Sequence, residues 1–393
     1  MDRKKSSAPN DSTTGRFEAL DGWRGICACF VVLFHFHGYG PLFTSSLIRN
    51  SYLFVDFFFV LSGFVIAFNY ATRLDSWSGV RSFLVLRLGR VYPLHLAMLL
   101  TFVLYEARRL ALQQPAFPGE TSPSAFVTNL FLLHSLDIHD SLTWNGPSWS
   151  ISTEFWTYVL FALVCAVIGL RDWLLIATAF IGPLLLFHLS KSGMDTTYDW
   201  GIIRCVLGFA LGVLCWRIHT LASPQARVPG TAVMTALEVA IVLAVAGFVA
   251  AAGISPLSFM APFVFAAAVL IFALEGGLVS RLFRTRALKW LGTLSYSIYL
   301  THFLVVLLLP RIVKLALGGE DLWRSMPLPN GQYVMAFGRN EVEGTLLYAL
   351  ALAATLALSA LTYRWVEVPG RDWSRKWLRR PRLNAADAKP QQP

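Results

Sequence analysis

Ten apolar stretches recur along this chain, and each is close to the 17 to 25 residues that a helix needs to cross a bilayer. Hydrophobic residues make up 55% of the 393 residues and charged residues 14%. A soluble domain of this length cannot bury so much apolar surface. The sequence therefore predicts an all-α, polytopic transmembrane helix bundle of about ten spans, at 22–39, 52–71, 92–106, 149–169, 173–190, 200–217, 232–252, 256–274, 290–309 and 344–365.

Three segments fit this pattern less simply. The third stretch is marginal, because Pro93 interrupts a longer amphipathic run that begins near Val80. A shorter apolar piece, 125–133, predicts a re-entrant or interfacial segment. The longest segment on the outer side, 318–343, predicts a small cap over the outer face.

The distribution of basic residues predicts the orientation. The net charge is +10, but 24 of the 33 Lys and Arg residues fall in the segments that are cytoplasmic if the N-terminus is inside. This asymmetry favours a membrane topology over a nucleic-acid partner. Both termini are expected in the cytoplasm of a multi-pass protein of the cell's inner membrane, with the basic sequence SRKWLRRPR against anionic headgroups.

The domain organisation is correspondingly simple. We predict a disordered N-terminal tail (1–16), one transmembrane domain (17–371) and a basic cytoplasmic C-terminal tail (372–393). The first helix lacks the features of a cleavable signal peptide. The five cysteines all fall within apolar spans, where they indicate small core residues and neither a metal site nor a disulfide framework.

The first span carries unusual polar residues in DGWRGICACFVVLFHFHGYG. At about 100° per residue, Arg24 and His35 lie within about 20° of each other, separated by about 16 Å along the axis. His37 projects from nearly the opposite face. Arg24 is thus expected at the cytoplasmic interface and His35 near mid-membrane, where an imidazole can exchange a proton. The alternative is that His35 only forms a structural hydrogen bond between helices and that Arg24 only extends its charged end to the membrane surface.

Other spans add ionisable residues. Asp56 lies in the second span, with Gly63 one heptad later on a face small enough for close helix contact. Arg87 and Arg90, at i and i+3, form a guanidinium pair suited to phosphate or diphosphate, although positive-inside topology alone also explains them. Glu154 needs a partner, and the basic residues above are the candidates.

A polar stripe at i, i+4 and i+7 runs along the ninth span through Ser295, Tyr299 and His302. At the end of the last span, Arg364 and Glu367 are predicted to form a surface pair. Ionisable residues from so many helices are tolerated in a membrane only if they face a shared polar cavity.

These segments together resemble the membrane-bound acyltransferase-3 family, which includes O-acetylases of surface polysaccharides and Nod factors. The resemblance runs from about residue 16 to residue 371. It rests on the joint order of LDGWRGICACFVVLFHF, VDFFFVLSGF, RLGRVYPLH, GPSWSISTEFWTY, LSYSIYLTH and RWVEVPGR. The family's arginine-ten-residues-histidine spacing corresponds to Arg24 and His35, and its arginine pair on the third helix to Arg87 and Arg90.

The resemblance implies transfer of an acyl group, commonly acetyl, from cytoplasmic acyl-coenzyme A to a hydroxyl of a carbohydrate-containing acceptor. Acyl-coenzyme A is then a co-substrate, and no bound cofactor or metal is expected. The residues expected at the site are His35, as base or acyl relay, with Asp56 and Glu154 as further catalytic groups; Arg24, Arg87 and Arg90 for the donor; and Trp149, Ser150, Ser295, Tyr299 and His302 around the acceptor.

Two other classes of protein stay open at this level. A proton-coupled transporter would also keep His, Asp and Glu inside its spans, although matching broken helices in two halves of the chain are not evident. A non-catalytic sensor or assembly subunit would not need the cytoplasmic arginines. The oligomeric state is not determined by these patterns.

Overall fold

A computed structural model describes residues 17–222, 229–328 and 333–379. The predicted disordered tail (1–16) and residues 380–393 of the predicted C-terminal tail lie outside the described residues. The described part of the chain is helical apart from loops and one hairpin. This is expected for apolar sequence in lipid, because a helix satisfies its backbone hydrogen bonds within one segment.

The helices of the described residues are α1 (Glu18–His35), α2 (Pro41–Thr44), α3 (Ser46–Arg49), α4 (Phe54–Tyr70), α5 (Trp77–Ala111), α6 (Pro123–Leu130), α7 (Trp149–Val167), α8 (Asp172–Leu189), α9 (Gly201–Ala222), α10 (Thr231–Ala252), α11 (Ala261–Phe272), α12 (Leu278–Phe283), α13 (Arg286–Ala316), α14 (Glu341–Thr362) and α15 (Val368–Arg379). The two strands are β1 (Trp323–Pro327) and β2 (Tyr333–Phe337).

Within the described ranges, eight helical segments are long and apolar enough to cross a membrane. The remaining two predicted spans also form helices. The first is α1, whose 18 residues include Glu18, Asp21 and Arg24, and the other is the apolar segment Pro256–Phe272, which is shorter. The predicted all-α polytopic bundle is therefore confirmed, with a helix at each of the ten predicted positions.

The marginal third span is part of a continuous helix. α5 runs for 35 residues through Pro93, and the helix α15 packs along it. A Cβ atom at Gly370 would lie 2.4 Å from Pro93 Cγ, and one at Gly89 would lie 2.3 Å from Ser374 Cβ. The segment predicted to be re-entrant contains only the short helix α6 before it turns into a loop.

Two close helix pairs form the centre of the bundle. α1 packs against α13 in parallel, since Gly25 meets Gly292 near the start of both helices and His35 meets His302 further along. α4 packs equally closely on α9: a Cβ atom at Gly63 would lie 2.0 Å from the Phe209 carbonyl oxygen. The predicted close helix contact at Gly63 is confirmed.

A β-hairpin covers the end of α1 where His35 lies. β1 and β2 pair antiparallel, with Trp323 opposite Phe337. The Phe337 amide donates to the His37 carbonyl at 2.7 Å, and the Tyr39 amide donates to the Phe337 carbonyl at 3.0 Å. The segment predicted to form a cap thus holds the chain that leaves α1.

The orientation with both termini in the cytoplasm stays a prediction and can be tested by fusion. A green fluorescent protein fused after Pro393 should fluoresce, whereas alkaline phosphatase at the same site should be inactive. The matched fusions after Gly319, between α13 and the hairpin, should behave in the opposite way. Phosphatase activity after Pro393 without activity after Gly319 would reverse the orientation.

Candidate active site

A basic cavity of about 140 Å³ lies between α1, α4, α5, α7 and α13. Three arginines line it: Arg24 from α1, and Arg87 and Arg90 from α5. The carboxylate that lines it is Glu154 of α7. The predicted donor residues are therefore brought together from two helices. Ser150, Ser295 and Tyr299 line the same cavity.

Arg87 is held mainly by aromatic rings. Its guanidinium carbon lies 5.6 Å from the ring centre of Tyr70 and 5.9 Å from that of Tyr158, within the range of a cation–π interaction. Its Nε is buried without a hydrogen-bond partner among the described residues. Such a planar guanidinium can donate two parallel hydrogen bonds to one anion.

Arg90 forms an ion pair that the sequence did not predict. It donates to Glu367, whose side chain is fully buried and also accepts from Ser297 at 2.9 Å. The expected surface pair between Arg364 and Glu367 is wrong. A π-helical turn at Tyr363–Glu367 interrupts the passage from α14 into α15, and Glu367 is buried against α5 and α13 where Arg90 and Ser297 reach it.

Glu154 has a different partner from those expected. Its carboxylate accepts a hydrogen bond from Tyr158 at 2.5 Å, one turn later on α7. The Tyr158 hydroxyl also contacts Ser62 of α4 at 2.9 Å. Glu154 therefore belongs to a polar chain across α4 and α7, and faces the same cavity as the arginines.

A second cavity, which we call the histidine cavity, has a volume of about 590 Å³. His35 and Trp149 line it, with residues from the loops that follow α5 and α8. Val55 and Tyr299 line both this cavity and the basic cavity. The two cavities thus meet at these side chains. The three arginines of α1 and α5 lie in the basic cavity, and His35 lies in the histidine cavity.

His35 is the last residue of α1 and contacts His302 of α13. The ring nitrogen Nδ1 of His35 lies 2.9 Å from the Val31 carbonyl oxygen and 3.2 Å from Nε2 of His302. Nδ1 of His302 lies 3.3 Å from the Ile298 carbonyl oxygen. Because a carbonyl oxygen only accepts, both Nδ1 atoms carry the proton. The single His35 Nδ1 proton is then shared between the Val31 carbonyl oxygen and His302 Nε2, and His35 Nε2 is left as a nitrogen without a proton.

The two histidines of the first span are separated by the end of the helix. His35 closes α1, and the chain is extended from Phe36. His37 is exposed, and its ring lies 4.8 Å from that of Phe43, under the hairpin. His35 lies about 26 Å from the start of α1 at 1.5 Å per residue, so it lies near the far end of its helix and not at its middle.

Asp56 pairs with an arginine that the sequence analysis did not single out. Arg204 of α9 donates to both Asp56 oxygens, at 2.9 and 2.8 Å, and both side chains are buried. Its other bonds go to the carbonyl oxygens of Tyr52 and Thr196. The available signal was Arg204, which lies inside the apolar stretch 200–217 and not at its end like Arg217, because such a charge in a span needs a partner.

Arg204 also lies against the walls of the histidine cavity. Its guanidinium carbon is 5.4 Å from the ring centre of Trp149 and 5.7 Å from that of Tyr52. The Asp56–Arg204 pair therefore holds α4 against α9 and supports Trp149, one of the residues expected around the acceptor. In the loop before α9, burial raises the pKa of Asp195, while the Arg204 charge opposes this.

No group of three or more His, Cys, Asp or Glu side chains that could hold a metal occurs within the described ranges. All five cysteines are free thiols. The polar side-chain groups that line the two cavities include imidazole, guanidinium, carboxylate and hydroxyl.

Comparison with known proteins gives the family. Residues 17–364 match the acyltransferase-3 family, described as Acyltransferase domain. Acyltransferase MdmB of Streptomyces mycarofaciens is 30% identical over 293 residues, which cover 68% of this chain and 72% of that protein. Protein 2 in the picA locus of Rhizobium radiobacter is 33% identical over 166 residues, 39% of this chain and 84% of that protein.

A third relative is longer than this chain. Peptidoglycan O-acetyltransferase OatA of Listeria monocytogenes is 23% identical over 390 residues, which cover 90% of this chain but 55% of OatA. No solved structure matches the chain. The family match covers nearly all of the ten predicted spans and the residues that line both cavities. The chain is a multi-pass membrane enzyme that belongs to the acyltransferase-3 family.

Proposed function

We propose that this enzyme transfers an acyl group, in the first instance acetyl, from cytoplasmic acyl-coenzyme A to a hydroxyl of a carbohydrate-containing acceptor at the inner membrane. The observation that carries the proposal is the meeting of the basic cavity and the histidine cavity at Val55 and Tyr299. An anionic donor and a hydroxyl acceptor would reach this point from opposite faces.

The donor side rests on the charge of the basic cavity. Coenzyme A carries a diphosphate, and guanidinium groups bind phosphate oxygens in a bidentate manner. Arg87 supplies this charge together with Arg24, whose partner Asp21 is partly exposed and lies 3.5 Å away, whereas Arg90 is held by the fully buried Glu367. The relative OatA is named an O-acetyltransferase, which supports acetyl as the transferred group.

The chemical step is assigned to His35. Its Nε2 accepts the proton of the acceptor hydroxyl while the oxygen attacks the thioester carbonyl carbon. The carbon–sulfur bond then breaks, and the coenzyme A thiolate leaves and takes up a proton. The His35 imidazolium is stabilised through Nδ1 by Val31 and His302. Tyr299, which lines both cavities, is the assigned hydrogen-bond donor for the oxyanion.

A relay through His35 is the second form of this mechanism. The imidazole would attack the thioester carbonyl carbon, the carbon–sulfur bond would break and the coenzyme A thiolate would leave with a proton. The acceptor oxygen would then attack the acyl-imidazole, the carbon–nitrogen bond would break and the hydroxyl proton would pass to the imidazole. Brief exposure to radiolabelled acetyl-coenzyme A without acceptor, followed by rapid acid quenching, distinguishes the two. Label bound to wild-type protein but absent from a His35→Ala variant supports the relay, and its absence from both supports direct transfer.

The donor assignment predicts the behaviour of Arg87→Lys. A lysine keeps the charge but loses the guanidinium fork, and a hydrogen bond to a charged group contributes about 1.5–3 kcal/mol. We expect the KM for acetyl-coenzyme A to rise by roughly 10- to 150-fold, since 1.4 kcal/mol is a factor of ten. The measurement is the rate of coenzyme A release over a range of donor concentrations.

Arg81→Lys is the matched control for this experiment. Arg81 lies on the same helix, but its guanidinium carbon lies 4.8 Å from the ring centre of Trp377 and it does not line the basic cavity. The KM of the Arg81→Lys variant for acetyl-coenzyme A should therefore be unchanged. An unchanged KM in an Arg87→Lys, Arg90→Lys double variant would assign the pair to membrane topology alone.

A further inference from the structure

Most charged side chains that line the basic cavity are cations, whereas most that line the histidine cavity are anions. Three arginines and one glutamate line the basic cavity. The carboxylates of Glu120, Asp140 and Asp195 line the histidine cavity, together with the cation Arg204. Arg204 gives two of its nitrogens to Asp56, so its charge is already matched. The histidine cavity therefore presents a net negative surface.

The negative charge comes from two loops. Residues 112–148, between α5 and α7, include Glu120, Asp137 and Asp140 but neither Lys nor Arg. Glu120 and Asp140 are exposed, and Asp195, in the loop before α9, is half-buried. These carboxylates line the same cavity as His35.

The walls between these charges are aromatic. Trp144 and Trp149 line the cavity and are 5% and 6% exposed. The Trp144 indole N–H has no hydrogen-bond partner among the described residues. Aromatic faces with a few polar groups, in a cavity within the usual range of about 300–1,000 Å³, suit a sugar ring with hydroxyl groups.

We propose that the histidine cavity selects its acceptor by charge, binding sugars that carry an amine in preference to neutral sugars, and excluding sugars that carry a carboxylate. This inference rests on the proposed function, because it concerns the acceptor of that reaction. An ammonium group close to Glu120 and Asp140 gains a Coulomb attraction, and a carboxylate at the same place is repelled.

Three hexyl β-glycosides with the same ring and different charge test the proposal: those of glucosamine, glucose and glucuronic acid. Their Kd values are measured by calorimetry on the purified protein in nanodiscs of neutral phosphatidylcholine, without donor. An exposed ion pair contributes up to about 1 kcal/mol. We therefore expect roughly fivefold weaker binding from glucosamine to glucose, and roughly fivefold weaker again to glucuronic acid.

Salt and substitution identify the origin of this ranking. Raising the ionic strength from 0.02 to 0.5 M should compress the three Kd values towards one another by screening. The Glu120→Gln, Asp140→Asn double variant should bring the three Kd values closer together even at low salt. Asp137→Asn is the matched control, because this acidic residue belongs to the same loop but does not line the cavity. The Asp137→Asn variant should rank the three Kd values as the wild type does.

The outcomes against the proposal are equally definite. Binding of the glucuronide as tight as that of the glucosaminide, a ranking that persists in the double variant, or no binding of any of the three would overturn it. Transfer of radiolabelled acetyl groups from acetyl-coenzyme A to the native acceptor, in membranes that contain the wild-type protein, tests the proposed acyl-transfer activity separately. Failure of acceptor selection is thus distinguishable from failure of the enzyme assignment.

Discussion

His35→Ala should lower the rate of acyl transfer by roughly 10² to 10⁴, the usual contribution of a general base. The protein should still insert and fold, because His35 is only partly buried and its side-chain hydrogen bond is with a single partner, His302. The measurement is transfer of radiolabelled acetyl groups to the native acceptor, in membranes that contain equal amounts of each variant.

His37→Ala is the matched control, two residues away. His37 is exposed outside α1, where its ring packs on Phe43, and it does not line the histidine cavity. Its loss should cost far less activity than the loss of His35. Equal losses for both histidines, or near-normal transfer by His35→Ala, would remove His35 from the chemical step.

The second large effect concerns stability. Removal of one partner of a buried ion pair costs roughly 3–5 kcal/mol, because the other charge is left buried and unpaired. Asp56→Leu and Arg204→Met should each lower the free energy of unfolding by about this amount. The double variant should recover most of it, since an apolar pair of similar volume is often close to neutral. Thermal unfolding in detergent gives the Tm of each variant.

Arg339→Met provides the comparison for these substitutions. Arg339 forms ion pairs with Glu320 and Glu343, but it is 47% exposed, and exposed pairs contribute little to stability because water and salt screen them. Its Tm should change little. If Asp56→Leu and Arg204→Met were as mild as Arg339→Met, the buried pair would not be a principal contact between α4 and α9.

The helices could be predicted from sequence because lipid imposes a minimum apolar length on every span. Helix ends were harder to predict. Pro93 was expected to interrupt a span, yet α5 continues through it, as prolines in membrane helices can when neighbouring groups satisfy the freed backbone. The β-hairpin was expected only as a cap, because a short polar segment between two spans carries little strand signal.

The candidate site could be predicted in part. The Arg24–His35 spacing and the stripe through Tyr299 and His302 follow from helical periodicity within one segment. The pairs Arg90–Glu367 and Asp56–Arg204 join residues that are 277 and 148 positions apart. No local pattern specifies such partners. They depend on which helices pack together, and the periodicity within one segment does not specify that.

Labelling of sealed membrane vesicles tests the central claim most directly, that donor and acceptor meet at His35 from opposite faces. Radiolabelled acetyl-coenzyme A, which does not cross the bilayer, is added to inverted and to right-side-out vesicles that contain the native acceptor. Transfer should occur in inverted vesicles only, and His35→Ala should lower its rate by roughly 10² to 10⁴. Equal labelling in right-side-out vesicles, or none in inverted vesicles made with wild-type protein, would contradict the account.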